Sequence, residues 1–148
     1  FQAPGAPPLD VNIPYHLYQP EILRYLELIA TMGVKTTDFI PEIKTTQADF
    51  DELNIAFPNL PDKYIVIHAG ASDVRRRWPV EKFAIVAKDL ISNGYKVVLT
   101  GSGTEQKINE ELVKQTVNEV IDLTNKISIN ALTALLSQAS LLIANDTG

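Results

Sequence analysis

From Pro61 onward the chain alternates strictly: a short apolar run, a turn of small or polar residues, then a segment with helical spacing. The apolar runs are Tyr64–Ile67, Lys96–Thr100, Glu119–Leu123 and Leu141–Ala144. The first of them, Tyr-Ile-Val-Ile, has no polar alternation, as expected of a strand covered on both faces inside a parallel sheet. Between the runs, Phe83, Val86, Ala87, Leu90 and Ile91 share one helical face over 80–92, and Asn93-Gly94 ends that helix. A second helix is expected from about Glu105 to Val117. A third starts at Ser128, with Ile129, Leu132, Leu135, Leu136 and Ala139 in its stripe. Strand and helix in this order demand right-handed crossovers, hence an α/β fold with a Rossmann-like parallel sheet and flanking helices.

Before Pro61 the grammar is different. Eight of the nine prolines lie at or before that position. Residues 1–18 are Pro-rich and without period, which implies an extended leader. From Pro20 to Met32 the apolar residues follow helical spacing, with Gly33 placed to cap the end. Thr46 is placed to cap a further helix through about Ala56. The expected organisation is therefore 1–61 as a Pro-rich leader and helical interdomain segment, and 62–148 as a Rossmann-like domain. The chain opens at Phe1 and stops just after a strand-like run. It is expected to be an excerpt of a longer protein, truncated at its last loop.

Ligands of open parallel sheets gather at the carboxyl ends of the strands. Three polar stretches fall there: Gly70–Trp78, Gly101–Glu105 and Asn145–Gly148. The first contains Arg75, Arg76 and Arg77, in a chain whose only other arginine is Arg24. It ends at Trp78-Pro79, where a helix begins, so guanidinium groups and a helix N-terminus meet in one place suited to phosphate. The second stretch, Gly-Ser-Gly-Thr-Glu, lets backbone approach at Gly101 and Gly103 and presents Glu105, whose carboxylate suits a ribose diol. The third offers a carboxylate at Asp146, a hydroxyl at Thr147 and an amide at Gly148. Plainer roles stand beside these. Arg75–Arg77 also fit a solvated loop, Glu105 a helix first turn stabilised by the dipole, and Asp146 an N-cap. Trp78 reads as a packing anchor, and His68 as a hydrogen-bonded core residue.

A net charge of −5 argues against general nucleic-acid or membrane-surface binding. With no cysteine there are no disulfides or thiolate ligands, and two histidines 52 positions apart give a metal site little support. No apolar run approaches the roughly 20 residues that cross a bilayer.

The stretches His68–Phe83, Tyr95–Glu105 and Val120–Gly148 resemble, in order and spacing, the C-terminal half of the ADP-heptose:lipopolysaccharide heptosyltransferases, glycosyltransferase family 9. The resemblance covers about residues 62–148 and, more loosely, the helix near 18–34. It implies a GT-B fold of two Rossmann-like domains with the active site between them. It implies inverting, metal-independent transfer of heptose from an ADP-sugar donor to a lipopolysaccharide-core acceptor, with no other cofactor. Ala71 and Ser72 then occupy the loop that meets the donor phosphates. Arg76 stands where the family commonly has a phosphate-binding lysine, and is the one candidate catalytic residue. Glu105 matches the ribose carboxylate, Ile127 the apolar lining of the adenine pocket, and Asp146, Thr147 and Gly148 the loop around sugar and diphosphate. The implied location is cytoplasmic, peripheral to the inner membrane through the other half. That half would also carry the general base, so this chain alone should be inactive.

Two rival classes remain open on the residues themselves. A dinucleotide-dependent oxidoreductase lacks support because the first turn, His-Ala-Gly-Ala-Ser, has no G-x-G-x-x-G fingerprint. A non-catalytic interaction protein that kept the fold would lose its need for the arginines, Glu105 and the final loop.

Overall fold

The computed structural model describes Gly5, Pro7 and residues 10–146 of the chain. These fall into two compact units, Phe1–Glu42 and Ile43–Gly148.

Among its described residues the first unit holds one helix, α1 (Glu21–Ala30), which follows Pro20. Arg24 ties the leader to it. Its guanidinium pairs with Glu21, donates to the carbonyls of His16 (2.8 Å) and Leu17 (3.1 Å), and lies 4.2 Å over the Tyr15 ring. Beyond the helix, Gly33 takes a left-handed φ of 88°, while its amide bonds Ala30 O and the Val34 amide bonds Ile29 O. This crossed pair is the glycine stop expected from sequence.

The second unit is a four-stranded parallel sheet in the order β3-β2-β1-β4. Its elements are α2 (Gln47–Ala56), β1 (Tyr64–His68), a 3-10 turn (Val74–Arg76), α3 (Val80–Ser92), β2 (Lys96–Leu99), α4 (Gln106–Gln115), β3 (Ile121–Asp122), α5 (Ile129–Gln138) and β4 (Leu141–Ala144). Strand alternation sends Tyr64, Val66 and Val98 to one face, where they pack with Leu53 of α2 and Ala131, Ala134 and Leu135 of α5. Ile67, Val97 and Leu99 go to the other face, against Phe83 and Ala87 of α3 and Leu112 of α4. Both faces of the central strands are therefore sealed, which is why their sequences carry no polar alternation. On the α5 side the Tyr64 hydroxyl donates to Leu135 O at 2.6 Å, and burial pushes its pKa up to about 12.

The prolines place a boundary at 61, but the sheet-bearing unit begins at Ile43. Leu53 is 4% exposed within the sheet's own core, so α2 packs as a layer of this unit. At its start the Asp49 carboxylate accepts from the amide of Thr46 (2.7 Å) and from its hydroxyl (3.0 Å).

β1, β2 and β3 step outward in one direction. The chain then returns through α5 to place β4 on the far side of β1. The strand order reverses between β1 and β4, and the carboxyl ends of that pair define the crevice where such sheets take ligands.

Candidate functional site

At the end of β1 the backbone of Ala69, Gly70 and Ala71 is buried, and Ser72 emerges to solvent. Asp73 then caps the 3-10 turn: its carboxylate accepts from the Arg75 amide (2.9 Å) and from the Arg75 guanidinium (2.7 Å). The Arg75 guanidinium and its amide, with a lesser contribution from the charge of Arg76, hold the Asp73 carboxyl below the usual carboxylate range against the opposing effect of burial. Arg75 is thus spent on a solvated pair with its own neighbour.

Its two successors behave differently. Arg77 turns inward, and its Nε donates to Ala71 O at 2.7 Å, fastening the loop from within. Arg76 turns across the crevice, and its Nη1 stands 3.3 Å from Asp146 Oδ2, with the two side chains 57% and 85% exposed. Residues seventy positions apart therefore share one rim. Thr147 and Gly148, expected to complete this loop, lie outside the described residues.

Asn145, to which sequence assigned no role, joins the same rim. Its Nδ2 donates to Ala69 O (2.8 Å) and Gly70 O (3.2 Å), and its Oδ1 accepts from the Trp78 amide at 2.9 Å. Trp78 itself is a packing residue, its ring edge-on to Phe83 at a centroid distance of 5.1 Å.

Glu105 is the N-cap of α4 and only 8% exposed. Its Oε2 accepts from the Ser102 amide (2.9 Å) and hydroxyl (2.5 Å), and its Oε1 from the Thr104 hydroxyl (2.7 Å). Burial pushes its carboxyl up, but these bonds, with the charge of His68, outweigh it and hold the group below the usual glutamate value. With three of about four acceptor positions filled from within its own turn, little of the carboxylate remains to face a diol.

The side chain fits because glycine lies beside it twice. A Cβ on Gly70 would fall 2.3 Å from Glu105 Cγ, and one on Gly101 would fall 2.8 Å from Glu105 Cβ. Gly103, expected to allow a similar close approach, has no such crowding: its Cβ would meet only Asn125 at 3.6 Å, an ordinary contact. The sequence signal for Gly70 lay in the turn after β1, but nothing local announced its partner.

Below the rim, Asn109 is fully buried and donates to Thr100 O (3.2 Å) and the Thr124 hydroxyl (2.7 Å), tying the ends of β2 and β3 together. His68 is half-buried with Nδ1 3.3 Å from the Thr100 hydroxyl, the hydrogen-bonded core role expected of it. Ile127 is partly buried against the cluster of Tyr64, Leu123 and Ala131, on the α5 side.

A cavity of about 490 Å3, lined by Phe50, Phe57, Leu60, Asp62 and Gln138 among others, sits at the opposite end of the sheet, where β1 begins and α5 ends. None of the rim residues lines it, so its size does not make it the site. Among the described residues, no group of three or more His, Asp or Glu is placed to hold a metal ion. Among them, too, no helix is long and apolar enough to cross a membrane.

The strand reversal between β1 and β4, with a guanidinium and a carboxylate facing each other over it, places the chain among doubly wound α/β domains that bind ligands at the switch point. Comparison with known families narrows this class. The chain belongs to glycosyltransferase family 9 (heptosyltransferase), whose model matches residues 7–148 and so includes most of the Pro-rich leader.

Lipooligosaccharide heptosyltransferase 2 of Haemophilus influenzae is 30% identical over 77 residues, 49% of this chain and 22% of that protein. The crystal structure of the glycosyl transferase family 9 protein from Veillonella parvula matches with a TM-score of 0.69 at 25% identity, covering 83% of this chain and 37% of that one. Escherichia coli heptosyltransferase WaaC, solved with ADP, shares the fold with a TM-score of 0.60 at 20% identity, over 89% of this chain and 41% of that one. The chain therefore spans between about a fifth and two fifths of the length of these relatives.

Proposed function

We propose that the rim between β1 and β4 holds the diphosphate of a nucleotide-sugar donor, ADP-heptose or a close relative. The chain would then be the donor-binding half of a two-domain GT-B enzyme that extends the lipopolysaccharide core. The observation that carries this reading is the Arg76–Asp146 pair. Of the three adjacent arginines, Arg76 alone faces the crevice, and its exposed partner can be displaced by a stronger anion. The WaaC structure was determined with ADP, which supports the same choice of nucleotide here.

In the proposed reaction an acceptor hydroxyl attacks the anomeric carbon from the face opposite the diphosphate. The carbon–oxygen bond to the β-phosphate breaks, and its electron pair leaves with ADP. Arg76 and the first-turn amides of α3 stabilise the charge that develops on the leaving group, the part a divalent cation plays elsewhere. Ser72 would meet the phosphates, with Ala71 buried behind it in the same loop, and Thr147 and Gly148 would continue the loop from Asp146. Glu105 and Ile127 would border the nucleoside. The acceptor site and the base that takes the hydroxyl proton belong, in this proposal, to the other domain, so the 148-residue chain binds donor without turning it over. The enzyme would work on the cytoplasmic side of the inner membrane, where donor and lipid-linked acceptor meet.

Calorimetric titration with ADP tests the reading. A charge-assisted hydrogen bond contributes about 1.5–3 kcal/mol, so Arg76→Ala should weaken ADP binding roughly ten- to a hundredfold. Equal affinity in wild type and variant would remove Arg76 from the site.

A further inference from the structure

We infer that Asn145 is a positioning residue: its side-chain amide latches the arginine loop to the carboxyl end of β1 and so sets where Arg76 stands. This deepens the functional reading above and rests on it. One side chain bridges both ends of the loop, beside the single bond from Arg77 to Ala71 O. Its NH2 group holds the carbonyls of Ala69 and Gly70, at the last turn of chain before the loop, and its oxygen holds the Trp78 amide, at the loop's far end.

The assignment of oxygen and nitrogen follows from the chemistry. Reversed, the amide oxygen would face two carbonyls and the NH2 group would face an N–H. The three bonds span 67, 75 and 76 positions of sequence, so they close the loop into a ring with β4. Arg76 lies inside that ring, two residues before Trp78, and Arg77 fastens the same loop to Ala71 O from within. The next residue after Asn145 is Asp146, the partner of Arg76. Latch and ion pair thus come from consecutive residues, and the register of β4 sets both at once. Asn145 is half-buried beneath the rim, so it acts through the loop.

Trp78 is the only tryptophan in the chain and is 45% exposed, so its emission reports directly on the bonded end of the latch. The experiment compares wild type, Asn145→Ala, Arg76→Ala and the double variant by tryptophan emission, acrylamide quenching and ADP titration. Asn145→Ala should shift Trp78 emission to the red and raise its quenching, whereas Arg76→Ala should leave both unchanged. ADP affinity should fall about threefold or more in Asn145→Ala, yet change by less than about twofold when the same substitution is made in the Arg76→Ala background.

Unchanged Trp78 emission and quenching in Asn145→Ala overturns the latch. An equal loss of ADP affinity in both backgrounds overturns the claim that Asn145 works through Arg76. Failure of the wild-type protein to bind ADP overturns the functional reading instead, and the tryptophan arm still decides whether the latch exists. If Asn145→Ala does not fold, Asn145→Ser carries the same two arms, because its shorter hydroxyl cannot span the three partners.

Discussion

Adding one methyl group to Gly70 should destabilise the protein, and Glu105 should be the reason. The φ of Gly70 is not among the chain's left-handed values, so backbone strain plays no part. The new Cβ would sit 2.3 Å from Glu105 Cγ, 2.9 Å from Cδ and 3.1 Å from Oε1. Glu105 cannot simply turn aside while keeping its bonds to Ser102 and Thr104. If the loop moves instead, overpacking of this size costs about 1–3 kcal/mol. If Glu105 swings into water, it gives up hydrogen bonds to a charged group, each contributing about 1.5–3 kcal/mol before rehydration offsets part of the loss. The protein takes the cheaper route, which puts the cost of Gly70→Ala at about 1–3 kcal/mol. Urea unfolding should show the midpoint falling by roughly 0.5–1.5 M. The decisive measurement is the cycle with Glu105→Ala, which removes every atom the methyl group would strike. Gly70→Ala in that background should be nearly neutral, so that the coupling equals most of the single-variant cost. Additive losses would mean that Gly70 is required for some reason other than the glutamate, and the wedge argument would fall.

Two further expectations concern stability. Val117 ends α4 with a left-handed φ of 57° and a side chain 73% exposed, so it carries the strain of a β-branched residue with little packing in return. Val117→Gly relieves about 1–2 kcal/mol of that strain and gives back about 0.5–1 kcal/mol to the freer unfolded chain. The thermal midpoint should rise, and a fall would count against the strain argument. Glu105, with its folded pKa below the usual glutamate value of 4.5, stabilises the fold fully above that value and loses its contribution as pH drops through the lower folded one. Unfolding midpoints followed from about pH 6 to about pH 3 should therefore fall more steeply for wild type than for Glu105→Gln. Parallel curves would show that the carboxylate's bonds are not linked to folding.

Where punctuation was strong, the fold could be read from sequence. Pro79 and Asn93-Gly94 bracket α3 at the expected Val80–Ser92, and the crossed bonds of Gly94 and Tyr95 back to Ile91 and Leu90 show why. β3 was expected over Glu119–Leu123 and is only Ile121–Asp122. The left-handed pair Val117 and Asn118 uses up chain in closing α4, and the Asp122 carboxylate takes the Thr124 amide at 2.9 Å, turning the backbone out of the sheet. The shared rim of Arg76 and Asp146 was legible because topology alone puts strand ends together. The separate fates of Arg75, Arg76 and Arg77 were not. Three identical neighbours differ only in direction, and the 3-10 turn capped by Asp73 decides that direction. Asn145 escaped for another reason: its partners lie 67 or more positions away, beyond the reach of any local pattern.

An acidic chain with one guanidinium free to meet a ligand must still release that group from its existing partner. The magnitudes allow it. Arg76 and Asp146 are both largely exposed, and an ion pair of that kind contributes about 0–1 kcal/mol. A phosphate oxygen offers the same guanidinium a charge-assisted, potentially bidentate bond contributing about 1.5–3 kcal/mol. In the proposed site, exchange would therefore favour the diphosphate and would leave Asp146 within reach of the donor sugar's hydroxyls. Had the pair been buried, breaking it would have cost about 3–5 kcal/mol and the arginine would have been locked to its neighbour. The exposure that makes the ion pair weak is thus what leaves Arg76 available, while the internal bonds of Arg75 and Arg77 hold the loop on which the proposed exchange would take place.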